Sequence, residues 1–256
     1  IENSEECITI ATTRPETMLG DTAIAVNPSD DRYKNIVGKN AIIPIVGRKI
    51  KIIKDEYADP EQGTGAVKIT PAHDFNDYEV GQRNKLEILN VFTEDGKINE
   101  NSPKQFLGLD RFEARKKLIK LLREQDHFVK EENIKNKVPY GDRSNSIIEP
   151  YLTEQWFADA KKLSIKAMEI VENKKTKFFP ENWSKTYFQW MDNIEPWCIS
   201  RQLWWGHQIP AWYGPDKKIF VAENEEDAKQ QAKKHYGKDV ELNRDPDVLD
   251  TWFSSG

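Results

Sequence analysis

Short runs of Ile, Val and Thr, broken by Gly, Pro, Asn and Asp, dominate the first half of the chain. The runs at 7–12, 22–26, 41–45, 49–53 and 66–70 read as strands. The period then changes. Leu118, Leu121 and Leu122 fall on one helical stripe, with Asp110 placed as an N-cap and Glu113 three residues on, which predicts a helix over 110–124. Beyond it the spacing predicts helices near 158–172 and 183–194 and a charged, exposed helix over 223–235. Many short strands with interspersed helices argue for an α+β fold with a mixed, β-barrel-like or sandwich core rather than a doubly wound sheet.

Composition adds a boundary. All 8 tryptophans lie beyond residue 138, so the chain divides into units at 1–137 and 138–256, the second opening on a loop-like stretch over 138–146. The hydrophobic share is 38% against 32% charged residues. No apolar run nears the roughly 18 residues that span a membrane, and the acidic start lacks a secretory signal pattern. The missing initiator Met suggests a piece of something longer. The 2 cysteines, Cys7 and Cys198, are distant in sequence, which points to two buried thiols and a cytoplasmic chain and leaves no Cys-x-x-Cys zinc knuckle. A net charge of −5 argues against a simple electrostatic nucleic-acid binder.

Two segments carry the candidate chemistry. One is the run from Ala11 through Thr12, Thr13, Arg14, Pro15, Glu16 and Thr17 to Asp21; the other runs from Gly63 through Lys68, Thr70, His73 and Asp74 to Asp77 and Tyr78. Each follows a strand-like run, where a rigid scaffold can aim polar groups into a shared pocket. Bland readings stand beside the functional ones. Asp74 can simply cap the following helix with Asp77 at its N3 position. Alternation would put Lys68 on a solvent face, whereas a pocket role would turn it toward an anionic or carbonyl oxygen. Thr13 and Pro15 can open an ordinary helix. A metal set of His73, Asp74 and Asp77 is the least supported, because nothing else supplies convergent ligands. Gly63-Thr-Gly65 is too short for a phosphate loop.

Taken together, the two runs closely resemble the pocket motifs of the editing domain of class I aminoacyl-tRNA synthetases for valine, isoleucine and leucine. The form of 11–28 is most similar to the valine-specific members. The segments 141–156, 199–212 and 247–256 are similar to the stretch where that family's insertion returns to its class I Rossmann core, so the second unit is expected to be helical and Trp-rich, leading back to that core. The ATP-binding signatures of a complete synthetase are absent, so ligase activity, with its ATP and Mg, is not expected here.

The resemblance implies hydrolysis of threonine from mischarged tRNA(Val), with no cofactor or metal and with water as nucleophile. Its partners would be the 3′ end of that tRNA and the rest of the synthetase chain. It implies that Asp77, Lys68 and Thr17 stand closest to the reaction. Asp77 would take the α-ammonium, Asp74 the threonine hydroxyl or else the loop, and Arg14, Thr12, Thr13 and Thr70 would line the pocket. Asp250 and Trp205 would be a remnant of the synthetic site, with Trp204 and Trp212 near its wall or in a core. The alternative is a module that binds threonine or the terminal adenosine without efficient turnover.

Overall fold

The computed structural model describes residues 1–142 and 144–255; Arg143 and Gly256, which belong to two of the segments quoted above, lie outside the described residues. Two compact units are present, Ile1–Thr153 and Glu154–Gly256. The composition shift at 138 thus falls inside the first unit.

The first unit is built on four strands: β1 (Ala23–Val26), β2 (Asn40–Ile42), β3 (Lys49–Lys54) and β4 (Ala66–Ile69). Their order is β2-β3-β1-β4. β1 runs parallel to β3 and antiparallel to β4, with Ile24 opposite Lys68. The sheet is open and β2 and β4 are its edges, so the barrel-like core expected from the strand pattern does not close. The expected strand over 7–12 is also missing: those residues are irregular and largely exposed. They have the β-formers but no partner strand, and β-propensity without cross-strand packing specifies little.

Both faces of β1 are covered. Ile24 and Val26 join a core with Leu19, Phe92, Phe106 and Leu118, while Ala23 and Ala25 pack with Ile69 and Val80. Each large apolar side chain buried there contributes about 2 kcal/mol. A strand in a sheet covered on both faces need not alternate apolar with polar, which is why the solvent face read for Lys68 does not exist.

Two helices complete this unit. α1 (Phe75–Asn84) begins where the Asp74 side chain accepts from the amides of Asn76 and Asp77, a cap worth about 1 kcal/mol. Its last turn is tied to the end of β3: Arg83 grips Asp55 through Nε and Nη2 at 2.8 and 2.6 Å, and Asn84 adds a third bond at 2.8 Å. The guanidinium holds the Asp55 carboxyl down at about 2. Gly81 lets α1 approach closely, since a Cβ there would lie 2.8 Å from the Pro71 ring. α2 (Arg111–Glu124) matches its sequence pattern and buries Ala114, Leu118 and Leu122. Asp110 caps it through Phe112 N; no bond from Glu113 completes the expected capping box among the described residues.

The second unit carries short strands as well as helices. β5 (Phe157–Ala158) pairs with β6 (Trp197–Cys198), β7 (Ser200–Arg201) with β11 (Val248–Leu249), and β8 (Ala211–Tyr213) with both β9 (Ile219–Val221) and β10 (Asn243–Arg244). The helices are α3 (Ala160–Glu172), α4 (Trp183–Asp192), α5 (Glu225–Tyr236) and α6 (Thr251–Ser255). Trp212, Phe220, Ala228 and Ala232 form its small core. Neither cysteine is fully buried: Cys7 is exposed, Cys198 is half-buried and both are free, so the expectation of two buried thiols is corrected. No helix is long and apolar enough to cross a membrane.

Candidate active site

The two motif runs meet at the end of β4. Pro15–Gly20 forms a 3₁₀ helix with Glu16 and Thr17 buried. Its N-cap is Arg14, not Thr13, and the Thr12 hydroxyl instead accepts from Arg14 N at 3.1 Å. Thr12 and Thr13 are exposed at the rim. Thr17 turns inward and donates its hydroxyl to the Arg14 carbonyl at 2.9 Å.

Asp77 is the central carboxylate. It is buried, and its Oδ2 accepts from Thr70 N at 2.8 Å. Its Oδ1 takes no hydrogen bond among the described residues. Burial pushes the carboxyl up to about 6, against the pull of the Thr70 amide and Lys68. It is therefore mostly ionised at pH 7 and sits beside a second acid, Asp74. Asp74 spends Oδ1 on the α1 cap and leaves Oδ2 without a partner among the described residues. Tyr57, exposed at its edge, is raised by its own desolvation and by these two acids.

Lys68 is buried, and its ammonium lies 2.9 Å from Asp21 Oδ1 and also reaches the Thr70 hydroxyl. That compensating carboxylate was not singled out from sequence as a site residue. The signal was available: a lysine inside an apolar strand needs a buried counter-charge, and Asp21 closes the first motif run.

Arg14 makes no hydrogen bond or ion pair with Asp77 among the described residues. Its Nη1 donates to the His73 carbonyl at 2.7 Å, and its Nη2 pairs with Glu149. Glu149 also meets Arg111 at 3.1 Å and is pushed up by burial despite those cations. Glu16, fully buried, takes a two-pronged grip from Arg115 at 2.6 Å on each oxygen. Arg14 in this state is a structural clamp on the motif loop rather than an open cation.

His73 faces the core and not the site. Its Nε2 accepts from Val91 N at 3.0 Å, and its ring packs 4.4 Å from Phe92. Burial lowers it to about 4, so the neutral ring carries its proton on Nδ1, which makes no hydrogen bond among the described residues. The metal reading through His73, Asp74 and Asp77 loses its nitrogen ligand to that bond, and among the described residues no three His, Cys, Asp or Glu converge as a metal set.

In the second unit Asp250 pairs with Arg201 at 2.8 Å and caps Trp252 N at 2.9 Å. Trp205 is 91% exposed and Trp204 is fully exposed, whereas Trp212 is buried beneath Arg244. These residues do not form one pocket wall.

The family of class I tRNA synthetases (I, L, M and V) matches residues 15–256. The chain is 81% identical over its full length to the Valine--tRNA ligase of Pelagibacter ubique, covering 29% of that protein. It is 56% identical to the Valine--tRNA ligase of Bartonella henselae over 97% of this chain and 29% of that one. A LeuRS from Agrobacterium radiobacter K84, solved in a ternary complex with tRNA and LeuAMS, overlays 99% of this chain and 29% of its own. Its TM-score is 0.37 at 19% identity, too distant to inform the geometry. The chain spans under a third of the length of the relatives it matches. By the match over 15–256, the chain belongs to the class I tRNA synthetase family for Ile, Leu, Met and Val.

Proposed function

We propose that the first unit is the editing domain of a cytoplasmic valyl-tRNA synthetase, which hydrolyses the ester of threonyl-tRNA(Val) with a positioned water. The observation that carries this reading is Asp77, a buried and ionised carboxylate with one oxygen fixed by Thr70 N and the other without a partner among the described residues. That is a receptor for a substrate ammonium. The need for such a pocket follows from the limits of apolar selection: a hydrophobic site rejects an added hydroxyl only weakly, a case for which valyl-tRNA synthetase is itself the standing example. A pocket with polar partners for the hydroxyl reverses the preference, because valine leaves them unpaired.

Water attacks the ester carbonyl, and the ribose oxygen leaves as a hydroxyl once protonated. Aminoacyl esters are labile, so placing water against the carbonyl supplies much of what is required. No Ser–His or Cys–His pair is at hand among the described residues, and His73 is turned to the core. Synthetic activity, with its ATP and Mg, belongs to the larger chain.

The test is release of threonine from threonyl-tRNA(Val) against valine from valyl-tRNA(Val), with EDTA present. Selective, chelator-resistant release is expected. Equal release, or release that EDTA abolishes, overturns the proposal, and binding of the aminoacyl end without turnover leaves a recognition module instead.

Asp74→Ala tests specificity at the same site. Turnover of threonyl-tRNA should fall more than turnover of valyl-tRNA, and the lost α1 cap should cost about 1 kcal/mol. Asp74→Ser keeps a capping oxygen, so the two effects separate when both rates and a urea midpoint are measured. Equal losses on both substrates confine Asp74 to the loop.

A further inference from the structure

One charged group at this site has no ligand-facing role. Asp21 is 2% exposed, directly after the 3₁₀ helix of the first motif. Its Oδ1 accepts from Lys68 Nζ at 2.9 Å and from the Thr70 hydroxyl at 2.5 Å, while Lys68 also reaches that hydroxyl. Thr70 then passes the connection on through its main chain, donating N–H to Asp77 Oδ2 at 2.8 Å. Arg48 Nη1 donates to the carbonyls of Leu19 and Asp21 at 3.0 and 3.2 Å and so fixes the backbone that presents the carboxylate.

This arrangement is expensive as mere structure. A buried ion pair commonly does no better than well-packed apolar residues of the same volume, and apolar neighbours are present: Leu19 precedes Asp21, and Val67 and Ile69 flank Lys68. What the pair adds is direction. Thr70 has one hydroxyl, and between a donor and an acceptor it is held in a single orientation, with its amide aimed at Asp77. Buried polar networks that are fully satisfied fix one geometry.

We infer that Asp21 is a positioning residue for the deacylation proposed above, holding the Lys68 ammonium and the Thr70 hydroxyl as one unit and, through Thr70, aiming the Asp77 carboxylate at the substrate ammonium. The inference rests on that reading of the site. It also reassigns Lys68: its charge is compensated inside the protein, so it acts as Asp21's partner and not as a free cation for the incoming ester.

Asp21→Asn is the test, since it preserves size and an acceptor oxygen and removes only the charge. The kcat for threonyl-tRNA(Val) should fall on the order of ten- to a hundredfold, as for a displaced reacting group, with KM changed by less than about threefold. The charged and titratable groups facing Asp77 are Asp21, Lys68, Asp74 and Tyr57. Of these, the Asp21 anion opposes Asp77 ionisation and Lys68 favours it. Asp21→Asn should therefore move the acid limb of kcat/KM to lower pH, and Lys68→Met should move it to higher pH. The limb shifts report that both charges act on Asp77; the fall in kcat at nearly unchanged KM in a folded protein is the readout that a carboxylate stabilising only the fold would not give.

The Asp77 carboxyl can be titrated directly by ¹³C NMR, its signal assigned by loss in Asp77→Asn, which reads the same shift without turnover. If either charge alone leaves the protein unfolded, Asp21→Asn with Lys68→Met removes both, and its kcat should match Lys68→Met alone, because the two act as one unit. Additive losses, or an Asp21→Asn protein with unchanged kcat and an unmoved limb while Asp77→Ala is dead, overturn the inference and leave the editing reading standing. A wild-type protein that releases no threonine overturns both.

Discussion

Asp77→Ala is expected to abolish threonine release from threonyl-tRNA(Val) while leaving the sheet and both helices of the first unit in place. The α-ammonium then has no counter-charge at the end of β4, and the remaining nearby acid, Asp74, already spends one oxygen on the helix cap. Charge-assisted hydrogen bonds are about twice as strong as neutral ones, so the loss should exceed on the order of a thousandfold in kcat/KM if the ammonium is the principal anchor. Persistent activity in a folded variant would remove the ammonium role and leave Asp77 as a helix-terminus residue only.

The same residue predicts a trade between activity and stability. Its carboxyl is raised by burial from an ordinary 3.8 to about 6 in the folded chain. An acid whose folded value is raised binds more protons folded than unfolded across that interval. Its contribution is thus most favourable at low pH and declines as pH rises through about 6. At pH 7 the ionised carboxylate works against folding by up to about 3 kcal/mol. Asp77→Asn keeps an acceptor for Thr70 N and has no charge to desolvate. It should be inactive and yet more stable than the wild type above about pH 6, with the gain vanishing near pH 4. Denaturant midpoints at the two ends of that range check the sign. In turnover, the acid limb of wild-type kcat/KM, which reports the free enzyme, should have its midpoint near 6, and the acid limb of kcat, which reports the bound complex, should lie lower because the ammonium favours the ionised form.

How far the sequence could be read depended on whether a feature was local. α2 and the cap at Asp74 are decided by residues within one turn of each other, and both form where the pattern puts them. β1, β3 and β4 are short apolar runs whose bounds shift by a residue or so at either end. The run over 7–12 has the same composition and forms nothing, because a strand is made by its partner and none is supplied. The barrel failed for a related reason: closure depends on edge pairing that no single run encodes. At the site, the two motif runs were legible as one cluster, but the partners of Lys68 and Arg14 were not. Asp21 lies 47 positions from Lys68 and Glu149 lies 135 from Arg14. What was readable in each case was the need for a partner, not its identity. His73 stands apart: with Asp74 and Asp77 following it, the only chemistry it offered was a weakly supported metal set, and its bond to Val91 N and packing against Phe92 give it a structural task.

Arg115→Ala should be the most damaging change to the scaffold beneath the motif. Glu16 is fully buried in the 3₁₀ helix and depends on Arg115 for both oxygens, with Arg14 no nearer than 4.0 Å. Removing the arginine strands a carboxylate where water cannot reach it. Breaking a buried pair from one side costs about 3–5 kcal/mol; Arg14 remains nearby and offsets part of this, so a loss of about 3 kcal/mol is expected, equivalent to a drop on the order of 10 °C in Tm. Glu16→Gln should be the milder change: it strands Arg115 instead, whose side chain keeps 30% of its surface in water and is solvated there. The ordering decides which side of the pair is buried in energetic terms. Equal losses from the two variants would mean that Glu16 finds solvent when its partner leaves, and that the loop carrying Arg14 and Thr17 is held by packing and not by charge.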